Sequence, residues 1–181
     1  MTLIVNLVSG PGAGKSTTAA DIFAILKKSD INTELVREFA KDLSWIKDFK
    51  TLGDQYYVTM TQHYRQYMVD GQVKVMVTDS PLIVGLLYYV EPNKKINKLF
   101  TNLILEMYKN QDNMTFYINR KKKYNPSGRN QTKQEAIEKD TCARNLLDVY
   151  KIPYTIIEGN KRAAQVIVSK IKERLWTGTI V

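Results

Sequence analysis

The stretch Val5-Asn6-Leu7-Val8-Ser9-Gly10-Pro11-Gly12-Ala13-Gly14-Lys15-Ser16-Thr17 runs an apolar β-type segment into a glycine-rich loop and then into Lys-Ser-Thr at the head of a helical segment. That order is what a phosphate-binding loop requires. Small residues let the loop turn its backbone N–H groups inward around phosphate oxygens, a lysine reaches the outer phosphates, and a hydroxyl takes up magnesium. Gly10, Pro11, Gly12, Ala13, Gly14, Lys15, Ser16 and Thr17 are therefore the expected nucleotide-binding residues, with Lys15 on the β and γ phosphates and Ser16 on magnesium. A nucleoside triphosphate is the expected ligand, with ATP as the donor. The strict pattern G-x-x-x-x-G-K-[ST] would place glycine at position 9, where this chain has Ser9.

Outward from the loop, short β-type runs recur at residues 3–8, 33–36, 73–78, 114–119 and 154–158, separated by longer segments of helical character at 16–28, 54–69, 96–110 and 133–150. A final helix is expected after Gly159. Such alternation predicts an α/β fold with a parallel sheet. The run Val73-Lys74-Val75-Met76-Val77 suits a buried strand, and its carboxyl end would deliver Asp79 beside the loop.

Composition bounds the function classes. The 181 residues, 44% of them hydrophobic, fit one domain of ordinary size, expected to span 1–181. Lys and Arg outnumber Asp and Glu 27 to 18, and the net charge of +9 favours polyanionic ligands, whether nucleotides or nucleic acid. Cys142 is the single cysteine and His63 the single histidine, so disulfide frameworks, Cys/His zinc sites and Cys–His catalysis lack raw material. A cytoplasmic setting fits that usage. Neither a secretory-type leader nor a membrane-length apolar run is read, so no membrane partner is expected.

Phosphoryl transfer needs magnesium, cations on the migrating group, and a group that orients or deprotonates the acceptor. Two acids stand at strand ends. Asp79, in Val77-Thr78-Asp79-Ser80-Pro81, reads either as a magnesium or acceptor-side ligand or as a cap for the helix that follows. Glu38, in Leu35-Val36-Arg37-Glu38-Phe39-Ala40-Lys41, reads either as a proton acceptor for a bound hydroxyl or as a solvated surface acid. After the fourth strand, Arg120 and Arg129 bracket Lys121, Lys122 and Lys123 and a turn-forming Tyr-Asn-Pro-Ser-Gly, a composition suited to a basic lid over about 120–132. Closed over a triphosphate, a lid of this kind would exclude water and set Arg129 on the γ-phosphoryl group. A solvated loop and a nucleic-acid backbone contact are the competing readings.

Tyr56, Tyr57, Met60, Tyr64, Tyr67 and Met68 fall at helical spacing, and packing is the default reading of that stripe. On the same helix Gln62 either reads a base edge through its amide or is simply exposed. His63 and Cys142 are given no role.

Taken together, Ser9-Gly10-Pro11 to Thr17, Glu38-Phe39-Ala40-Lys41, Thr78-Asp79-Ser80-Pro81-Leu82 and Tyr124 to Arg129 resemble the P-loop nucleoside and nucleotide kinases, and more closely the AAA_28-type group that includes the ribosylnicotinamide kinase domain. The resemblance implies a three-layer fold with a five-stranded parallel sheet in the order 2-3-1-4-5. It also implies Lys15 on phosphates, Ser16 and Asp79 on magnesium, an acidic acceptor-side residue at Glu38 or Asp79, and an arginine lid. Related kinases often carry Arg directly after the acid of the third strand, whereas this chain has Ser80, so phosphate neutralisation falls to Arg37, Arg120 or Arg129. The leading expectation is an ATP-dependent kinase acting on a small nucleoside, nucleotide or related metabolite. Its rivals are a kinase of nucleic-acid ends or modified bases that uses the basic surface, and a nucleotide-switched regulatory module.

Overall fold

The computed structural model describes residues 1–121 and 132–177. Five strands, β1 (Leu3–Val8), β2 (Thr33–Val36), β3 (Val75–Thr78), β4 (Asp112–Asn119) and β5 (Thr155–Glu158), form one parallel sheet in the order β2-β3-β1-β4-β5. This is the expected strand order. The strand β1 lies at the centre, in register with β3 from Leu3 opposite Val75 and with β4 from Leu3 opposite Asp112.

All six residues of β1 are buried, because helices cover both faces of the sheet. Leu3, Val5 and Leu7 point to one side, where they meet Ala19, Ile22 and Leu26 of α1 (Lys15–Lys28) and Ile167 and Ile171 of α7 (Ala163–Thr177). Val8 joins the opposite layer, built from a 3-10 helix at Leu82–Leu87, α5 (Lys94–Lys109) and α6 (Lys133–Val149). Ile22 and Ile167 are both fully shielded, so truncating either to alanine would cost about 2–5 kcal/mol. Between the neighbours Ile4 and Val8, Asn6 is buried, and its amide donates to Asn113 Oδ1 at 2.7 Å and Ile4 O at 3.2 Å, which keeps a polar side chain tolerable inside the sheet.

Three elements between β2 and β3 build one wall of the site. They are α2 (Phe39–Trp45), α3 (Phe49–Gly53) and α4 (Gln55–Tyr67). Asp48 caps α3 by accepting from Thr51 N, and Asp54 caps α4 by accepting from Tyr57 N. The short helices α2 and α3 and the 3-10 helix were not expected from the hydrophobic spacing, which is too short to register at five to seven residues.

The aromatic stripe on α4 runs against expectation. Tyr57, Tyr64, Tyr67 and Met68 are 51–67% exposed and Tyr56 is 39% exposed, while the buried face of α4 is Val58, Thr59, Gln62 and Gln66. The helix turns its more polar stripe inward because that stripe faces the functional cavity rather than a dry core. Of the aromatic and methionine group, Met60 packs against the apolar layer and Tyr56 meets Phe100 of that layer edge-on at 4.8 Å between ring centroids. Cys142 is exposed.

Candidate functional site

The loop between β1 and α1 is shaped by two glycines in the left-handed region, Gly12 at φ 78° and Gly14 at φ 110°. Side chains are strained there, and glycine is not. Gly14 is the N-cap of α1, so no capping side chain covers the first-turn amides, and no acidic residue stands in that turn. An N-terminus left in this state is suited to an anion, and the loop fits a phosphate group.

Lys15 folds back over this loop, its Nζ donating to Ser9 O at 2.9 Å and to Gly10 O at 3.0 Å. Burial lowers its pKa, while the carboxylates of Glu38, Asp79 and Asp140 oppose the shift. The peptide joining Ser9 to Gly10 is held from both ends. Its carbonyl accepts from Lys15, and its N–H donates to Asp140 Oδ1 at 2.7 Å. Asp140 Oδ2 in turn pairs with Arg120 Nε at 2.6 Å, and Arg120 Nη2 donates to Pro11 O at 2.7 Å and Ala136 O at 3.3 Å. A Cβ on Gly10 would sit 2.5 Å from Ala136 O and 2.7 Å from Asp140 Oδ1, so α6 reaches the loop only because position 10 is glycine. Arg120, expected at the nucleotide, is thus engaged as a brace between β4, α6 and the loop. Asp140 was not singled out from the sequence, where it is one acid among several on a polar helix.

Across the loop mouth lies a cavity of about 400 Å³. Pro11, Gly12, Gly14, Lys15, Ser16 and Thr17 form its phosphate end, and Glu38, Asp79, Ser80 and Lys41 stand beside them. Its far wall comes from α4 and the 3-10 helix, with Val58, Thr59, Gln62, Leu82, Val84 and Gly85, and Tyr88. Ser16 and Asp79, the expected magnesium ligands, both line it, so the donor set fits a hard cation held against phosphate oxygens. Among the described residues no cluster of three His, Cys, Asp or Glu side chains is placed to hold a metal ion.

Glu38 is positioned from two directions. Its backbone N–H donates to Asp79 Oδ1 at 3.1 Å, and the next N–H, that of Phe39, donates to Gln62 Oε1 at 2.9 Å. Phe39 is further held between Tyr57, at 5.8 Å between ring centroids, and Arg65, whose guanidinium lies 4.8 Å from the ring and pairs with Asp42 at 2.7 Å. Asp79 is 4% exposed and secures the start of α2; the 3-10 helix that follows it has Pro81 at its N-cap position and no side-chain cap. The Glu38 carboxyl is pushed above the ordinary carboxylate range by burial, with Lys15 pulling it down and Asp79 adding to the rise.

Gln62 lines the cavity and is only 5% exposed, so it is not the solvated side chain its composition allowed. Arg37 is exposed and stands outside the cavity lining. Arg129 and most of the basic segment lie outside the described residues. Thr59 and Gly85 were not singled out from the sequence, and nothing in their local spacing marks them. Among the described residues no helix is long and apolar enough to cross a membrane.

No curated protein matches the sequence. Among solved structures, the chain is similar to a NadR protein in complex with NR, with a TM-score of 0.65 and 14% identity over 95% of this chain and 51% of that one. The chain therefore spans about half the length of that structure, and the likeness is one of fold. A family model described as an AAA domain, AAA_28, matches residues 4–163, and the chain belongs to that family.

Proposed function

We propose that the chain is an ATP-dependent phosphotransferase that moves the γ-phosphoryl group to a hydroxyl of a small nucleoside, nucleotide or related metabolite. The observation that carries this reading is Glu38: a carboxyl with a raised pKa, fixed at the N-terminus of α2 and lining the same cavity as Lys15 and Ser16. A hydrolytic switch needs only to orient water, whereas this cavity extends past the phosphate end along an apolar and amide-bearing wall with room for a second small molecule.

In this reading the amides of Gly12 to Ser16 and the Lys15 ammonium hold the triphosphate and take up charge as it spreads over the migrating group. Magnesium, bound by Ser16 and Asp79, would supply the neutralisation that phosphoryl transfer needs. Glu38 accepts the proton of the attacking hydroxyl, and its raised pKa brings it closer to the operating pH than an ordinary carboxylate. Asp79 keeps Glu38 in place through its backbone N–H. Among the described residues that line the cavity, Lys15 and Lys41 are the basic ones, and Lys15 is engaged at the phosphate end.

Replacing Glu38 by Gln keeps shape and removes the base. Transfer should fall by roughly 10²–10⁴-fold, while ATP binding, measured by calorimetry, stays within a few-fold of the parent. Unchanged transfer in Glu38→Gln would remove the base from this account.

A further inference from the structure

The 3-10 helix ends on a tyrosine whose side chain is held in place while its hydroxyl is left open. Tyr88 lines the cavity, and its backbone N–H donates to Gly85 O at 3.2 Å. Among the described residues its hydroxyl has no hydrogen-bond partner, and it is not one of the polar atoms, such as Thr59 Oγ1 and Gln62 Nε2, that are closed off without one. The ring is held by α6. Lys139 Nζ lies 4.8 Å from its centroid and donates to the carbonyl of the preceding residue, Leu87, at 3.0 Å. A cation over an aromatic face contributes about 0.5–2 kcal/mol, and here the same ammonium also ties down the backbone beside the ring. The next residue of α6, Asp140, is the one that accepts from Gly10 N–H at 2.7 Å. Consecutive residues of one helix thus set Tyr88 and the phosphate loop relative to each other.

The charges around the phenol define its use. Burial raises its pKa, and the carboxylates of Glu38 and Asp140 raise it further, which puts the hydroxyl within reach of both. A phenol in such surroundings stays protonated, so it serves as a hydrogen-bond donor and not as a base. Glu38 stands on the acceptor side of the cavity and Asp140 holds the loop over which Lys15 folds. A donor near both of them faces whatever passes from the loop to the acceptor.

We infer that Tyr88 is a further catalytic residue, its hydroxyl donating a hydrogen bond to an oxygen of the γ-phosphoryl group in transit, and that Lys139 is the positioning residue that holds its ring. This rests on the phosphotransferase reading for the identity of the migrating group. The resting triphosphate has Lys15 and the loop amides, whereas charge that spreads over the migrating oxygens in the transition state needs donors farther out, and a donor already in place strengthens with that charge.

The test uses the full chain with γ-labelled ATP and magnesium, following both label on added nucleosides and label released as inorganic phosphate, because the same group passes to water when no acceptor is taken. Tyr88→Phe keeps the ring and removes a hydroxyl that has no partner to lose, so it is expected to fold. It should lower kcat about 10–10²-fold, while binding of a non-hydrolysable ATP analogue, measured by calorimetry, stays within about threefold. Lys139→Met should lower kcat about three- to tenfold, and Lys139→Arg, which keeps a cation on the ring, should recover most of that loss. In the double variant of Tyr88→Phe and Lys139→Met the loss should match that of Tyr88→Phe alone, since Lys139 acts through the hydroxyl that is gone. An unchanged kcat in Tyr88→Phe, an equal loss of analogue binding, additive losses in the double variant, or a Lys139→Arg chain no faster than Lys139→Met would overturn the inference. Failure of the phosphotransferase reading looks different: phosphate release would keep its dependence on Tyr88 while label reaches no nucleoside.

Discussion

The two ends of the cavity are built on opposite principles. At the phosphate end the main groups are committed before any ligand arrives: Lys15 bonds to the loop carbonyls, the Ser9–Gly10 peptide is clamped between Lys15 and Asp140, and Arg120 ties Asp140 to Pro11. At the acceptor end Thr59 Oγ1 and Gln62 Nε2 are buried and unpaired, and Glu38 carries a raised pKa. The first arrangement preorganises charge stabilisation, which is worth most when it needs no rearrangement during the reaction. The second leaves two buried polar groups without a partner among the described residues. The difference teaches where stability and activity should separate: damage to the phosphate end should weaken the fold, and damage to the acceptor end should spare it.

Asp140→Ala should produce the largest departure in stability. Its pair with Arg120 is only 13–14% exposed, and truncation leaves the guanidinium inside with one charge uncompensated and Gly10 N–H without its acceptor. A loss of about 3 kcal/mol is expected, read by chemical denaturation. A change below ~0.5 kcal/mol would show that the brace contributes nothing, as exposed ion pairs often do.

The pH profile comes next. Because the Glu38 carboxyl is raised from its ordinary 4.5, it stays protonated to higher pH than a surface glutamate, so transfer should fall as pH drops through that raised value, by about tenfold per unit. Stability runs the other way. The folded chain holds this proton more tightly than the unfolded chain, so the contribution is present below 4.5 and is lost as pH rises through the raised value. Glu38→Gln should flatten both responses, which rate profiles and melting curves at several pH values would show. An acid limb that persists unchanged in the variant belongs to another group.

Thr59→Val should change stability least, by less than about 1 kcal/mol and in either direction, because it removes a hydroxyl that has no partner to lose. A loss above about 2 kcal/mol would mean that the hydroxyl helps hold the wall together.

Much of the phosphate end was legible in the sequence because its chemistry is local. Gly12, Gly14, Lys15 and Ser16 lie within five residues, and each is needed for a conformational or charge reason that composition reveals. The strand order followed from the resemblance, and the burial of β3 from the apolar run around Val75-Met76-Val77. Asp140 meets the loop from 130 residues away with no local pattern to mark it, and Arg120, marked by the basic run that follows it, meets the loop from 109 residues away as a brace that the run does not reveal. The acceptor wall was read less well for a different reason. On α4 the aromatic stripe at helical spacing is the outward one, and the inward face carries Thr59, Gln62 and Gln66. Periodicity locates a core by its hydrophobicity, so a face turned toward a ligand cavity can look like surface.

The most direct measurement of the whole account is a transfer assay with γ-labelled ATP and magnesium across nucleosides, nucleoside monophosphates, ribosylnicotinamide and oligonucleotides, read by where the label goes. The account expects label on a small nucleoside, nucleotide or related acceptor. Label released only as inorganic phosphate, at a rate that no acceptor alters, would contradict it.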